Sequence, residues 1–237
     1  MSEETALTIL EHHPFYAKAN LEKSEGFVPL AGSRDPELFA RFGQALGAFH
    51  LEFKGAQLPG LPVRDAAWFS RAAPYVLAEV ASLSERGEYE LTMTQTGLLE
   101  EAGVMLAELS EPLTGLLSSF VHGHCNLNTA GFIADRPCLR DWTRAAKGLS
   151  WLDVSGLSEG AEAASQDCLV ALVSSYGEAA DYPTQALADL IPVTRALQDL
   201  YTLDGWNTDL TSGARAAGSV KVESRRNISR LIELAGA

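Results

Sequence analysis

The sequence predicts an α+β fold that is mainly α, built around one short central β-hairpin. Apolar residues recur at steps of three and four along six long stretches, the spacing that gives a helix one buried face. Midway, two short apolar runs, residues 130–133 (AGFI) and 138–142 (CLRDW), are joined by ADRP, which is a hairpin signal. With 46% hydrophobic and 21% charged residues, a chain of 237 residues can bury a core without disulfides or metals.

Taken in order, residues 1–30 read as a rudimentary, linker-like N-terminal segment. Its short apolar pieces are broken by Pro14, Gly26 and Pro29, and residues 5–10 and 15–21 read as short strands or a hairpin. Residues 31–237 form the main helical body. Ser33 or Asp35 can cap its first helix, with Pro36 in the first turn and Glu37 at the positive end of the dipole. Leu38, Phe39, Phe42, Leu46, Phe49 and Phe53 then mark one buried face over 38–53. Gly55, Pro59, Gly60 and Pro62 break that helix. Further helices are predicted over 65–86, where Pro74 can bend or split the run, and over 94–109. Residues 116–123 (LLSSFVHG) read as a helix end or the approach to a strand. After the hairpin, helical periodicity returns beyond Gly156, over 160–177, 183–203 and 220–235.

Composition narrows the function classes. Eighteen Lys and Arg against 31 Asp and Glu give a formal charge of −13. Nucleic-acid affinity rests on cationic neutralisation of phosphates, so this balance argues against a nucleic-acid partner, and it argues against an anionic membrane surface. It suits a cationic ligand, and it also serves solubility. Cys125, Cys138 and Cys168 lack CxxC spacing. With no basic, apolar leader and no run long enough to span a bilayer, the expected location is the cytoplasm.

The chemistry-bearing stretch is VHGHCNLNTAGFIADRPCLRDWTRAAKGLSWLDVSGL, residues 121–157. It resembles the catalytic segment of the aminoglycoside phosphotransferase and choline kinase group, the small-molecule branch of the kinase-like fold. That group reads His-Gly-Asp, four residues, Asn, a short hairpin, then Asp before an aromatic or apolar residue. His122-Gly123 match the start and Asp141-Trp142 the end. Leu152-Asp153 match a later Asp, and FGQALGAFH (42–50) matches the helix opening the C-terminal lobe. The resemblance runs over about residues 20–205.

The resemblance implies phosphoryl transfer, in which Mg²⁺ neutralises phosphate oxygens and a carboxylate accepts the proton of the attacking hydroxyl. It places the base at His124, a loop-structuring histidine at His122, and a Mg²⁺ ligand at Asp141. The chain departs from the group at the decisive positions. His124 stands where the base Asp belongs, and Thr129 stands where the metal-binding Asn belongs, with Asn128 one residue early. The β-rich, nucleotide-covering N-terminal lobe is expected to be nearly absent, with no Gly-rich loop and no assignable phosphate-holding lysine. The favoured reading is a truncated, catalytically degenerate, pseudokinase-like protein that acts by binding. Its partner is a protein or a second copy covering the surface of the missing lobe, or a small molecule. The alternative is an active phosphotransferase on a hydroxylated or cationic metabolite or antibiotic, using Mg²⁺ and ATP, with His124 as base.

Other residues have plainer readings. Asp141 also suits a turn at the hairpin end, and Asp153 a cap on the helix that follows. A zinc site from His122, His124 and Cys125 lacks a second ligand pair. Arg225, Arg226 and Arg230 form a small basic face, solvated or set against the acidic bulk of a partner.

Overall fold

A computed structural model describes residues 8–10, 13–15, 26–110, 113, 118–212 and 217–236. The chain divides into two units, one of residues 1–64 and 116–194, the other of 65–115 and 195–237.

In the first unit, strand β1 (Phe27–Pro29) leads into helix α1 (Pro36–Glu52). Asp35 caps α1 by accepting the Glu37 N–H at 3.0 Å, with Pro36 in the first turn. Strand β2 (Val63–Arg64) follows, and later come β3 (Ser118–Val121), β4 (Ala130–Ile133), β5 (Arg136–Leu139) and β6 (Ala146–Leu149). They make two three-stranded sheets, β1-β4-β5 and β2-β6-β3. In the first, β4 pairs antiparallel with both neighbours, with Val28 opposite Phe132 and Ala130 opposite Leu139. In the second, β6 runs antiparallel to β3 and parallel to β2. Ala134 and Asp135 turn the β4–β5 hairpin with φ of 47° and 66°.

Helices α4 (Trp151–Ala164) and α5 (Gln166–Ala179) are split at Ser165, which ends the first and caps the second by accepting the Cys168 N–H. Helix α1 packs on α5 at backbone distance. A Cβ on Gly43 would lie 2.4 Å from the Leu172 carbonyl oxygen, and one on Gly47 would lie 2.6 Å from that of Tyr176. Phe49 is the aromatic centre of this core, with the rings of Phe15, Phe53, Phe120 and Trp142 around it. Leu10 and Phe15 are buried in the same core, and the Phe15 carbonyl accepts the Leu139 N–H at 3.0 Å.

The second unit holds α2 (Ala66–Glu85), α3 (Met93–Ser110) and α7 (Ala217–Gly236), and α6 (Thr184–Ser212) contributes to both units. Asp65 caps α2 through the Trp68 N–H at 2.8 Å. Phe69, Leu77, Val80, Leu99, Leu106, Leu200 and Leu231 are buried. Asp199 on α6 is almost fully buried and pairs with Arg230 on α7, while Arg225 pairs with Glu90, so Arg225 and Arg230 of the basic face meet acids of this chain rather than of a partner.

The mainly helical α+β class is as expected, and several elements differ in detail. Residues 8–10 are helical, not strand, and 16–21 lie outside the described residues. Pro74 lies within an unbroken α2. The helix expected from 160 begins at Trp151, and Gly156 lies inside it. The second hairpin strand ends at Leu139, so Asp141 and Trp142 follow it rather than belong to it. A single hairpin is replaced by two sheets, because β1, β2 and β6 have three, two and four residues, too few for a visible alternation. Among the described residues, no helix is long and apolar enough to cross a membrane.

Candidate functional site

The site is built on the loop between β3 and β4, residues 122–129. Three features fix its backbone. Asp153, fully buried in the first turn of α4, accepts the His122 N–H at 2.7 Å and the Gly123 N–H at 2.9 Å. Gly156 lets α4 take the loop at close range, since a Cβ there would sit 2.0 Å from the Cys125 carbonyl oxygen. Leu127 covers Gly160 one turn further along. Asp153 therefore holds the loop rather than capping its own helix.

His122 is fully buried, and burial holds its imidazole below the ordinary histidine value, against the pull of Asp153. Its Nε2–H donates to the Arg140 carbonyl at 2.8 Å, while Nδ1 accepts the His124 N–H at 3.3 Å. The ring meets Trp142 edge-on at 4.8 Å. Trp142 is fully buried and donates its indole N–H to the Leu139 carbonyl. Between Arg140 and Trp142, Asp141 adopts φ 65° and stays half-buried, with Oδ1 accepting the Thr143 hydroxyl at 2.8 Å. His122 thus brings the start of the loop to the residue preceding Asp141.

The rest of the loop closes on itself. Asn126 Oδ1 accepts the Asn128 and Thr129 N–H groups, at 2.9 and 3.2 Å. The Thr129 hydroxyl accepts the Asn126 N–H at 2.9 Å and donates to the Asn126 carbonyl at 3.1 Å. Asn128 is exposed, and its carbonyl accepts from Arg140 Nε at 3.2 Å. His124 is half-buried, and its carbonyl accepts from Asn126 Nδ2. Burial pushes the Cys125 thiol well above its ordinary value, which disfavours the thiolate.

Sequence reasoning missed the support beneath Asp153. His50, at the end of α1, places Nε2 at 3.2 Å from Asp153 Oδ2 and Nδ1 at 3.0 Å from the Tyr176 hydroxyl. Burial works against ionisation of Asp153, yet the hydrogen bonds it accepts from the His50 ring and the His122 backbone hold its carboxyl below the ordinary aspartate value. The available signal was a histidine on the buried stripe of α1, four residues after Leu46, where a polar ring needs partners. A groove of about 550 Å³, lined by Thr8, Ile9, Phe53 and residues 56–59, contains none of the candidate residues.

This arrangement, a buried Asp under a His-Gly turn followed by a hairpin and an Asp-Trp pair, is that of a kinase-like fold. Comparison with solved structures agrees. Choline kinase LicA from Streptococcus pneumoniae superposes with a TM-score of 0.66 at 15% identity, covering 98% of this chain and 80% of that one. Macrolide 2′-phosphotransferase MphH from Brachybacterium faecium gives 0.59 at 17%, over 94% and 79%. A choline/ethanolamine kinase family protein from Mesorhizobium loti gives 0.55 at 18%, over 89% and 70%. No protein-family model matches the chain, and no curated protein matches it in sequence. The chain has the kinase-like fold of the aminoglycoside phosphotransferase and choline kinase group.

A working phosphotransferase of this fold would use Mg²⁺ and ATP, and the residues present offer one carboxylate at the position for the metal. Asp141 is one carboxylate whose Oδ1 is engaged by Thr143. The Thr129 hydroxyl is consumed inside the loop. Among the described residues, no three His, Cys, Asp or Glu side chains form a cluster able to hold a metal.

Proposed function

We propose that this chain is a kinase-fold binding protein that has lost ordinary Mg²⁺-dependent phosphoryl transfer. The observation that supports it is the closed Asn126–Thr129 hydrogen-bond box. The position that holds a metal-binding amide in the group is occupied by a hydroxyl spent on the loop's own backbone. The scaffold around it is intact, with Asp153, His122 and Trp142 buried and satisfied. A retained scaffold with a changed donor set suits recognition, and the acidic composition favours a cationic small molecule or a basic protein partner.

Calorimetric titration with ATP, with and without Mg²⁺, tests this reading. Absence of nucleotide heat at high protein concentration is the expected result. Micromolar Mg²⁺-dependent binding would overturn it in favour of a working phosphotransferase on a hydroxylated or cationic substrate, with His124 as the base and Asp141 as the metal ligand to be mutated next.

A further inference from the structure

We infer that Phe27 is a plug: its ring fills a slot on β4, bounded by Gly131 and Arg140, that accepts a planar, uncharged aromatic ring once Phe27 is withdrawn. The inference goes beyond the binding reading and holds whether or not the chain transfers phosphate. Gly131 lies in β4, the middle strand of its sheet, opposite Pro29 on one side and Cys138 on the other. A glycine inside a strand packs no side chain of its own and marks a close approach to the backbone. Here the tip of the Phe27 ring makes that approach. A Cβ at position 131 would lie 2.7 Å from its Cζ and 2.9 Å from its Cε2. The Arg140 guanidinium covers the ring, with its carbon 4.5 Å from the centroid. A cation over an aromatic face is attractive, and another planar ring of that size offers the same face.

The walls of the slot have supports other than Phe27. Arg140 Nε–H donates to the Asn128 carbonyl at 3.2 Å, and the Arg140 backbone N–H to the Thr129 carbonyl at 3.0 Å. Gly131 is held by β5 as well as by β1. The plug is held more lightly. Strand β1 has three residues and, among the described residues, lies at the edge of its sheet. It follows Gly26, whose φ of 98° belongs to the region that favours glycine. Phe27 is half-buried and Val28 is exposed, so burial anchors this strand weakly. The guanidinium sets the ligand class, since it repels a cationic ring and stacks on a neutral one. Because Asn128 and Thr129 hold Arg140, a ring in the slot abuts the 122–129 loop.

The test is an NMR titration of the full chain with phenol, a ring of the size removed, following the Gly131 and Arg140 amide resonances. Cyclohexanol, its saturated counterpart, is titrated beside it, and circular dichroism checks the fold of each variant. Phe27→Ala is expected to bind phenol at least about tenfold more tightly than the unaltered chain, with shifts at both amides. Phe27→Leu keeps an apolar side chain on β1 and is expected to bind phenol between these two, and it decides the matter if Phe27→Ala does not fold. Cyclohexanol is expected to gain less than phenol. Arg140→Met keeps an unbranched stem without the guanidinium, and in the Phe27→Ala background it is expected to remove most of the gain. Phenol affinity unchanged in the folded Phe27 variants, an equal gain for cyclohexanol, or a gain indifferent to Arg140→Met would overturn the inference. These titrations contain neither nucleotide nor Mg²⁺. Failure of the binding reading would show instead in the nucleotide titration of the unaltered protein.

Discussion

The imidazole of His122 donates to the carbonyl oxygen of Arg140 at 2.8 Å, joining the first residue of the loop to the residue before Asp141. Both candidate positions, 124 and 141, therefore hang from one buried ring. His122→Ala leaves the Arg140 carbonyl and the His124 N–H without this partner and opens a cavity against Trp142. The expected loss is about 2–4 kcal/mol, combining a cavity with unsatisfied polar groups. Urea denaturation followed by tryptophan fluorescence measures it. A loss under about 0.5 kcal/mol, the range of a neutral surface change, would show that the ring is not the tie described.

Asp153→Ala is a harsher test of the same scaffold. It removes the acceptor for two backbone amides and leaves His50 buried beside an apolar methyl. Breaking a buried pair from one side costs about 3–5 kcal/mol, a large share of the stability of a domain. Thermal unfolding of Asp153→Ala beside Asp153→Asn separates charge from shape. The asparagine is expected to recover part of the loss, because its oxygen can still accept one amide.

Much of this was legible in the sequence, and the parts that were not share a cause. His122-Gly123, Asp141-Trp142 and the ADRP turn are local patterns, and the structure places them around one loop. The helices over 36–52, 66–85 and 93–110 followed from periodicity, the first also from Asp35 and Pro36 at its start. His50 and Tyr176 lie 126 residues apart and meet only because two glycines let their helices touch, which no local pattern reports. Gly156 looked like a helix boundary because glycine usually ends helices. Here it is a helical position kept small for a carbonyl. Thr129 was read as the loss of an asparagine, and its gain, the closed box with Asn126, needed coordinates.

That box gives a separate prediction. Thr129→Val keeps the shape and removes the hydroxyl that accepts the Asn126 N–H and donates to its carbonyl. The expected cost is about 1–2 kcal/mol, with faster hydrogen exchange confined to residues 124–129. Uniform exchange across the unit, or none, would argue that the loop is held from outside by Asp153 alone.

The β4–β5 turn predicts a gain. Ala134 and Asp135 both have positive φ, the geometry of a two-residue type I′ hairpin, and alanine is poorly suited to it. Asn is at home at this position. Ala134→Asn is expected to raise stability by about 0.5–1 kcal/mol, read as a higher urea midpoint with an unchanged slope. Arg41, which bonds the Asp135 carboxylate and carbonyl, is untouched by the change.

Acid should act on the two units with opposite sign. In the first, His122 and Asp153 both titrate below their ordinary values. Folding therefore disfavours proton uptake at each, so their contribution is present above the unfolded values and is lost as pH falls through the folded ones. In the second unit, burial raises Asp199 to about 6, outweighing the attraction of Arg230 and Arg195. Its folded form binds a proton more tightly than its unfolded form, so that contribution is full at low pH and fades as pH rises through about 6. The rise from the ordinary aspartate value corresponds to at most about 3 kcal/mol. Trp142 and Trp151 report the first unit, and Trp68 and Trp206 the second. Variants that keep one pair, with the other changed to Phe, give a urea midpoint for each unit between pH 4.5 and 7.5. The first pair's midpoint is expected to fall with acid. The second pair's is expected to hold or rise, and Asp199→Asn is expected to remove that rise by fixing the site in an uncharged form. Equal pH slopes in the two reporters, or a second-unit slope indifferent to Asp199→Asn, would refute the assignment.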